Sequence, residues 1–222
     1  MPQQINKKIF FYFFLFIFLG TFNNKNFNNF KLPKIDSIEI YGLKTIDDDF
    51  IRSLEFFKLS NIFYINQSKI KKVFENNDLI EEYKIFKKYP SKLEVNIIET
   101  KFLAKTNKNG KNFLVGSNGK LIETKNEIKN LPFIFGDFNI NNFLDLKKII
   151  DSSNLDFREI KNLYFFPSGR WDIEILSETL IKLPNKEIKE SLDLSLVLLN
   201  DEKFSNIKLI DVRQKNQVIV DE

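Results

Sequence analysis

The sequence predicts an α+β fold made of a single N-terminal transmembrane helix, a module of order β-α-α-β-β, and a β-rich domain with flanking helices. Three observations lead to this prediction. An uncharged apolar run covers residues 9–22, apolar and polar residues alternate through residues 80–99, and short apolar runs separated by turn residues follow residue 100. Alternation with period two is typical of half-buried strands, and closely spaced short runs are typical of a β-rich domain.

The composition limits the chemistry that this chain can perform. Its 222 residues can form one or two domains with buried cores, and it contains neither cysteine nor histidine. Thiol nucleophiles, disulfides, histidine-based triads and nearly every zinc or haem site are therefore excluded, and no cofactor is expected. Carboxylate chemistry and Ser/Lys pairs remain possible. The net charge of +4 comes from lysines scattered among acids, which indicates a solvated surface and no nucleic-acid partner.

The apolar run is interpreted as an uncleaved membrane anchor. As a helix the run would span only about 21 Å, against a hydrocarbon core of about 30 Å, so the predicted anchor and the start of a polar linker together cover residues 9–30. A cleaved signal peptide is the alternative, but Gly20 and the residues after it form a poor cleavage site. The predicted anchor residues are Ile9, Phe10, Phe14, Leu15, Ile17, Leu19 and Phe22.

The orientation of the anchor does not follow from charge, because lysines lie on both sides of the run and the positive-inside rule does not decide between them. A short N-terminal tail ahead of a single span usually stays in the cytoplasm. Residues 1–8 are therefore expected to form a cytoplasmic tail, with the rest of the chain after about residue 30 outside.

Residues 31–100 form the predicted β-α-α-β-β module. A strand around Ile38 and Ile40 ends at Gly42, which is expected to supply a turn with positive φ. The acidic residues 47–49 precede a helix and are interpreted as capping residues rather than as a metal or catalytic cluster. A second helix follows, and residues 80–99 form a hairpin with Pro90 in its turn, because proline cannot donate to a strand ladder.

Residues 101–222 form the predicted β-rich domain. Turn signals at residues 116–119 and 167–170 join pairs of strand-like runs, which indicates hairpins. Apolar residues at helical spacing predict helices, and the chain closes with a last pair of strands. The predicted helices lie at residues 143–150 and 188–199, and the last strands at 207–212 and 218–220.

The β-α-α-β-β module resembles a POTRA domain. The strongest part of the resemblance is the pattern Pro-x-x-Leu-x-Val-x-Ile-x-Glu, which runs from Pro90 to Glu99. POTRA modules act as docking platforms, often by accepting a partner strand at an exposed sheet edge.

The whole chain resembles the FtsQ/DivIB family, whose members have a short tail, one span, one POTRA domain and a β-rich domain. The family usually has an acidic residue before the glycine that corresponds to Gly119, where this chain has Asn118. The matching segments, in chain order, are Ala104, residues 116–119, residues 131–132 with Gly136, residues 170–173, residues 183–184 and residues 210–213.

The resemblance implies a non-enzymatic, single-pass inner-membrane protein of the divisome. Such a protein would have its N-terminus in the cytoplasm and the bulk of its chain in the periplasm at the division septum. It would link early and late division proteins by binding FtsB- and FtsL-like partners and other divisome members, with no small-molecule substrate.

The resemblance also places partner binding at the C-terminal edge of the β-rich domain, where the partner would bind by strand addition. Arg213 would pair with an acidic partner residue; the alternative is a surface ion pair with Asp211 or Glu222. The predicted partner-binding residues are Arg213, Gln214, Asn216, Val218, Ile219 and Val220.

Two other functions compete with this interpretation. A POTRA-containing outer-membrane assembly or secretion factor would require repeated POTRA units, which the sequence lacks. A membrane-anchored hydrolase would require convergent catalytic groups, whereas Ser168 and its neighbours are explained by a turn.

Trp171 alternates in phase with Ile173 and Ile175, so it is interpreted as a core residue rather than as a binding hot spot.

Overall fold

The computed structural model describes residues 7–22, 32–43, 48–125, 128–204, 206–215 and 217–221. Within these ranges the chain has a mixed α+β fold. The helices are α1 (Lys7–Phe22), α2 (Asp48–Glu55), α3 (Gln67–Glu75), α4 (Ile140–Asp151) and α5 (Ile188–Leu199). The strands are β1 (Ser37–Tyr41), β2 (Ile80–Lys88), β3 (Lys92–Glu99), β4 (Phe102–Lys108), β5 (Lys111–Gly116), β6 (Leu121–Glu123), β7 (Phe133–Phe135), β8 (Ile160–Phe165), β9 (Trp171–Ile175), β10 (Leu180–Lys182), β11 (Leu209–Asp211) and β12 (Ile219–Asp221).

Helix α1 contains the predicted apolar run, and its apolar side chains from Ile9 to Leu19 are exposed. No helix in the described ranges is both long enough and apolar enough to cross a membrane. The 16 residues of α1 extend about 24 Å at 1.5 Å per residue, less than a hydrocarbon core of about 30 Å. The predicted transmembrane helix within residues 9–30 is therefore not shown by the described residues, in which the apolar run forms only the helix α1 (Lys7–Phe22). Residues 1–6 and 23–30 lie outside the described residues.

A three-stranded sheet of order β1-β3-β2 forms the first module. Strand β1 is parallel to β3, and β2 pairs antiparallel with β3, which confirms the predicted hairpin. On β3, Leu93, Val95 and Ile97 are at most 5% exposed and pack with residues of α2 and α3. The alternation in the sequence thus marks the face that the two helices cover.

The ends of the first module follow the predicted turn and helix signals. Gly42 has φ +93°, and a Cβ at this position would lie 2.0 Å from the Ile97 carbonyl oxygen, so only glycine fits here. Helix α3 begins after Asn66, whose side-chain oxygen accepts a hydrogen bond from the Lys69 backbone N–H. Helix α2 begins at Asp48, but Asp47 lies outside the described residues, so the capping role of residues 47–49 stays a prediction.

A nine-stranded sheet of order β12-β11-β10-β9-β8-β7-β4-β5-β6 forms the second module. Helices α4 and α5 supply Phe143, Leu146 and Leu192 to the core on one face of this sheet. The strands supply a cross-strand row to the same core. This row consists of Ile134, Leu163, Ile173, Ile181 and Ile210, each at most 1% exposed.

The opposite face of the nine-stranded sheet carries polar and charged side chains. Asp172 on β9 is in register with Lys182 on β10, and Lys182 is in register with Asp211 on β11. The same row continues to Ile219 on β12. Because paired residues point to the same side of a sheet, this row leads from the middle of the sheet to its C-terminal edge.

Trp171 is 2% exposed and its ring contacts those of Phe138 and Phe165, which confirms that it is a core residue. The predicted turn before it is also confirmed. The Phe166 backbone N–H donates to the Arg170 carbonyl, and Gly169 has φ +79°. Ser168 therefore lies in an exposed hairpin turn.

Candidate partner-binding edge

Strand β12 is the last strand at one end of the nine-stranded sheet. It pairs antiparallel with β11, and no described strand pairs with its other side. Ile219 is 45% exposed and Val220 is 38% exposed, although their neighbours Ile210 and Asp211 on β11 are buried. A strand with one free side offers backbone donors and acceptors to a further strand. An edge strand therefore lies at Ile219–Asp221, one residue later than the predicted last strand, and its use by a partner stays a prediction.

Arg213 forms a two-pronged ion pair with Asp211, immediately before the loop that leads to β12. Its Nε donates to Asp211 Oδ1 at 2.8 Å and its Nη2 donates to Asp211 Oδ2. The Arg213 backbone N–H donates to the same carboxylate at 3.1 Å. The hydrogen bonds from Arg213 lower the pKa of Asp211, although partial burial opposes this. The predicted alternative, an ion pair with Asp211, is thus the arrangement in the structure.

The Arg213 side chain still has 39% of its surface exposed, whereas that of Asp211 has only 9%. The guanidinium group has five N–H donors in a fixed fork, and the pair with Asp211 uses two of them. Donors on the exposed side remain available to a second acceptor. Arg213 can therefore hold Asp211 and contact a partner carboxylate at the same time.

A second carboxylate, Asp172, lies deeper in the same charged row. Asp172 is 3% exposed, and burial raises its pKa, although Arg170 opposes the increase. The Arg170 Nε donates to Asp172 Oδ1 at 3.1 Å. Lys182 lies between Asp172 and Asp211 in the register of the sheet. Opposite charges alternate across the strands here, and this alternation favours the observed alignment of β9, β10 and β11.

A groove of about 590 Å³ lies beside the edge, between the start of α5 and the loop from β11 to β12. Its walls are partly apolar, since Leu194 on α5 and Val218 line it. The charged residues around it include Lys215, which lies 3.8 Å from Glu187. Of the predicted partner-binding residues, Arg213, Gln214 and Val218 line this groove, Ile219 and Val220 form the adjacent edge, and Asn216 lies outside the described residues.

The described residues hold no cluster of three or more His, Cys, Asp or Glu side chains that could bind a metal ion. The Asp172 carboxylate, which follows Ser168 closely in the sequence, accepts a hydrogen bond from Arg170. The C-terminal edge combines the outer side of β12, which no described strand covers, with a neighbouring groove.

Sequence models of two protein domains match this chain. Residues 34–100 match the FtsQ-type POTRA domain, and residues 104–213 match the C-terminal domain of the cell division protein FtsQ/DivIB. The chain belongs to the FtsQ/DivIB family of cell division proteins. The POTRA module and the β-rich domain of this family account for the two sheets. An outer-membrane assembly or secretion factor is not favoured, because the segment after the POTRA domain matches the division family.

Curated relatives are similar to different parts of this chain. DivIB of Clostridium botulinum strain Loch Maree is 37% identical over 107 residues, which are 47% of this chain and 42% of that protein. FtsQ of Rickettsia bellii is 24% identical over 201 residues, which are 85% of this chain and 72% of that protein. The chain thus matches less than half of the length of the clostridial relative. All of these relatives are named as cell division proteins.

A solved structure also has a limited likeness to the chain. It is the major extracytoplasmic domain of DivIB from Geobacillus stearothermophilus, with 13% identity and a TM-score of 0.33. The match covers 42% of this chain and 86% of that chain.

The sequence did not single out Asp172 and Lys182 as neighbours of the edge. The signal was present in two family segments, Arg170-Trp171-Asp172-Ile173 and Ile210-Asp211-Val212-Arg213, which both place an arginine two residues from an aspartate. The register between β9, β10 and β11 brings these two segments together, and this register joins residues distant in the sequence.

Proposed function

We propose that this protein is a non-enzymatic, bitopic division protein that binds an extended segment of a FtsB-like partner at β12. The partner segment would add a tenth strand to the sheet, next to Ile219 and Val220. The observation that carries this proposal is the position of β12 at the end of the sheet with one side unpaired by any described strand. Strand addition uses the backbone groups of such an edge for affinity.

The short length of β12 indicates that the partner needs further contacts. β12 has three residues, and each backbone hydrogen bond contributes only about 0.5–1.5 kcal/mol net. A few such bonds are too weak to hold a stable complex. The adjoining groove, with Val218 and Leu194 in its walls, supplies an apolar surface for residues that flank the added strand.

Arg213 would give the interaction its preference for acidic partners. Its guanidinium group is fixed by Asp211 and partly exposed. A fixed guanidinium loses little conformational freedom when it binds a carboxylate, so a partner Asp or Glu beside the added strand would gain a charge-assisted hydrogen bond. FtsL-like proteins and other divisome members would join through the same complex.

The proposal includes membrane attachment through α1. The helix has no charged residue between Ile9 and Phe22, and the side chains of Ile9–Leu19 are exposed. An exposed apolar surface of this size is unfavourable in water. We place residues 1–8 in the cytoplasm, residues 9–30 in the anchor and the start of the linker, and the POTRA domain (31–100) and β domain (101–222) in the periplasm at the septum.

Partner affinity of proline variants tests this proposal. Full-length protein in lipid nanodiscs is titrated with the extracytoplasmic part of a FtsB-like protein, using the parent chain and the variants Ile219→Pro and Val220→Pro. Consecutive N–H groups of a strand point to opposite sides, so one of the two variants removes an outward donor. We expect both variants to bind more weakly and the outward one to lose most of its affinity.

The matched control is Ile122→Pro on β6, which is the edge strand at the opposite end of the same sheet. This variant should bind the partner as tightly as the parent chain. Parental affinity in both β12 variants, or an equal loss in the β6 variant, would contradict binding at β12. The variant Arg213→Glu should weaken binding as well, because it reverses the charge of the side chain that contacts the partner carboxylate.

A further inference from the structure

The turn between β5 and β6 contacts the first module through its side chains. Asn118 donates both N–H groups of its side-chain amide across the boundary, to the Asp78 carbonyl at 2.8 Å and to the Ile80 carbonyl at 3.2 Å. Asp78 and Ile80 lie where the chain passes from α3 to β2. We call the contact between residues 116–120 and residues 75–81 the clasp.

The backbone of the turn holds Asn118 in this position. Its backbone N–H donates to Thr100 Oγ1 at 3.3 Å, and its side-chain oxygen accepts from the Lys120 N–H at 3.1 Å. At Gly116, a Cβ would lie 2.5 Å from the Asn118 side-chain oxygen and 2.9 Å from Thr100 Oγ1. Glycine at position 116 therefore leaves the space into which the Asn118 side chain folds.

Lys120 strengthens the clasp at the end of α3. Its Nζ donates to the Glu75 carbonyl at 2.5 Å and lies 3.2 Å from the Asp78 carboxylate. Carbonyl groups at the C-terminal end of a helix carry partial negative charge and lack helical partners, so an ammonium group stabilises them. The Ser117 hydroxyl adds a hydrogen bond to the Glu81 carboxylate. Each of these contacts joins residues that are at least 36 positions apart.

The covalent connection between the two modules is short. Strand β3 ends at Glu99 and β4 begins at Phe102, so only Thr100 and Lys101 lie between the two sheets. Rotation about the backbone of two residues is enough to swing one module relative to the other. The clasp opposes this rotation because it joins the modules at a second place.

We propose that the clasp locks the POTRA and β modules into one rigid unit and so fixes where the β12 edge is presented. The turn lies beside β6, at the opposite end of the sheet from β12. The eight strand spacings between β6 and β12 correspond to about 38 Å at about 4.8 Å each. The role of β12 in this inference rests on the proposed function, whereas the locking of the modules does not.

Asn118 cannot be replaced by aspartate in this role. A carboxylate has no N–H to donate and would face the carbonyl oxygens of Asp78 and Ile80, close to the acidic side chains of Asp78 and Glu81. The change from Asn118 to Asp therefore removes two hydrogen bonds and adds repulsion, with almost no change in size. This substitution is a sharp test of the clasp.

Distance measurements between spin labels can test the lock, because the chain has no native cysteine. Labels are placed on the exposed positions Lys72→Cys in α3 and Lys189→Cys in α5 of the full-length protein in nanodiscs. Double electron–electron resonance should give one narrow distance peak in the otherwise unchanged chain. The pair Asn118→Asp with Lys120→Ala should lose that narrow peak and give a broad distribution.

The matched control is Asn141→Asp with Lys129→Ala, which makes the same charge change at exposed residues outside the clasp. It should keep the narrow peak. Lys120→Ala alone leaves both Asn118 hydrogen bonds in place and should broaden the distance distribution to an intermediate extent. This single variant replaces the double variant in the test if the double variant fails to fold. A narrow peak in the folded clasp variants, or a broad distribution in the unchanged chain, would overturn the inference.

Binding of the FtsB-like partner separates this inference from the proposed function. The clasp variants should bind the isolated partner with parental affinity, because β12 lies at the far end of the sheet. If the partner does not bind the unchanged chain, the proposed function is wrong. The distance measurement still shows whether the clasp holds the two modules as one rigid unit.

Discussion

Arg213 donates two hydrogen bonds from its guanidinium group to the carboxylate of Asp211, and this pair lies beside the edge strand on which the proposed function depends. Asp211 is 8% exposed, so its charge needs a partner within the protein. The pair therefore stabilises the end of β11 and also directs a partly exposed cation towards the groove. One arginine thus serves the fold and the proposed interface together.

Removal of Arg213 should lower the free energy of unfolding. Arg213→Ala leaves Asp211 without its guanidinium partner, and we expect a loss of about 1 kcal/mol, because solvent at the exposed side already weakens the pair. Urea denaturation measures this loss. Arg158→Ala is the control: Arg158 forms a similar pair with Asp156, but its side chain is 89% exposed, so no measurable change is expected. Equal losses in both variants would show that burial of Asp211 does not matter.

Acid should destabilise the protein through Glu174. Burial raises the pKa of Glu174, but hydrogen bonds from Asn162, Tyr164 and Lys161 outweigh this effect and lower the pKa from 4.5 to about 2. A lowered folded-state pKa contributes stability that is present above pH 4.5 and is lost as the pH falls towards about 2. Denaturation curves between pH 6 and pH 2 should show this loss.

The variant Glu174→Gln isolates this contribution, because glutamine keeps the size of the side chain and has no charge to lose. It should be less stable than the parent chain near neutral pH, and its stability should fall less steeply between pH 4.5 and about pH 2. Parallel curves for the two chains would argue against a role for Glu174. Asp172 acts in the opposite direction, because burial raises its pKa and favours its protonated form.

Gly42 should not tolerate a side chain. Gly42→Ala places a Cβ 2.0 Å from the Ile97 carbonyl oxygen and imposes φ +93° on an L-residue. We expect a loss of roughly 3 kcal/mol or more in the free energy of unfolding. Gly110→Ala is the control, since Gly110 has a similar φ of +78° with nothing within 4 Å of the added Cβ. It should lose only the strain of the backbone, and an equal loss in both variants would refute the clash with Ile97.

Charge introduced into α1 should release the protein from membranes. Phe14→Asp together with Ile17→Asp places two charges near the middle of the apolar helix, at a cost of roughly 2.5–3.5 kcal/mol each in a bilayer. Extraction of cell membranes at high pH should leave the parent chain in the pellet and move the variant to the supernatant. Thr21→Asp, near the end of the helix, should stay in the pellet. Equal extraction of the parent chain and the double variant would contradict attachment through α1.

Local patterns predicted most of the elements correctly. The alternation of residues 92–99 marks the buried face of β3, and the proline and glycine signals lie in turns as expected. Trp171 is buried, as its alternation in phase with Ile173 and Ile175 predicted. These features depend on residues that are close in the sequence, where periodicity and turn chemistry are direct physical constraints.

Long-range pairing is the part that local patterns could not supply. Strands β10 and β11 pair in parallel across the crossover helix α5, and their register places Lys182 beside Asp211. Asn118 contacts a carbonyl 40 residues earlier in the chain. Nothing in the spacing of the sequence specifies such contacts.

Hydrogen exchange at the backbone of β12 is the most direct test of strand addition. Amide exchange of full-length protein in nanodiscs is measured alone and with a saturating amount of the extracytoplasmic part of a FtsB-like protein. We expect whichever of the Ile219 and Val220 amides points away from β11 to become protected in the complex, because an added strand pairs with it, while the amides of β6 at the other edge stay unchanged. Binding of the partner without any added protection at Ile219 or Val220 would contradict the account.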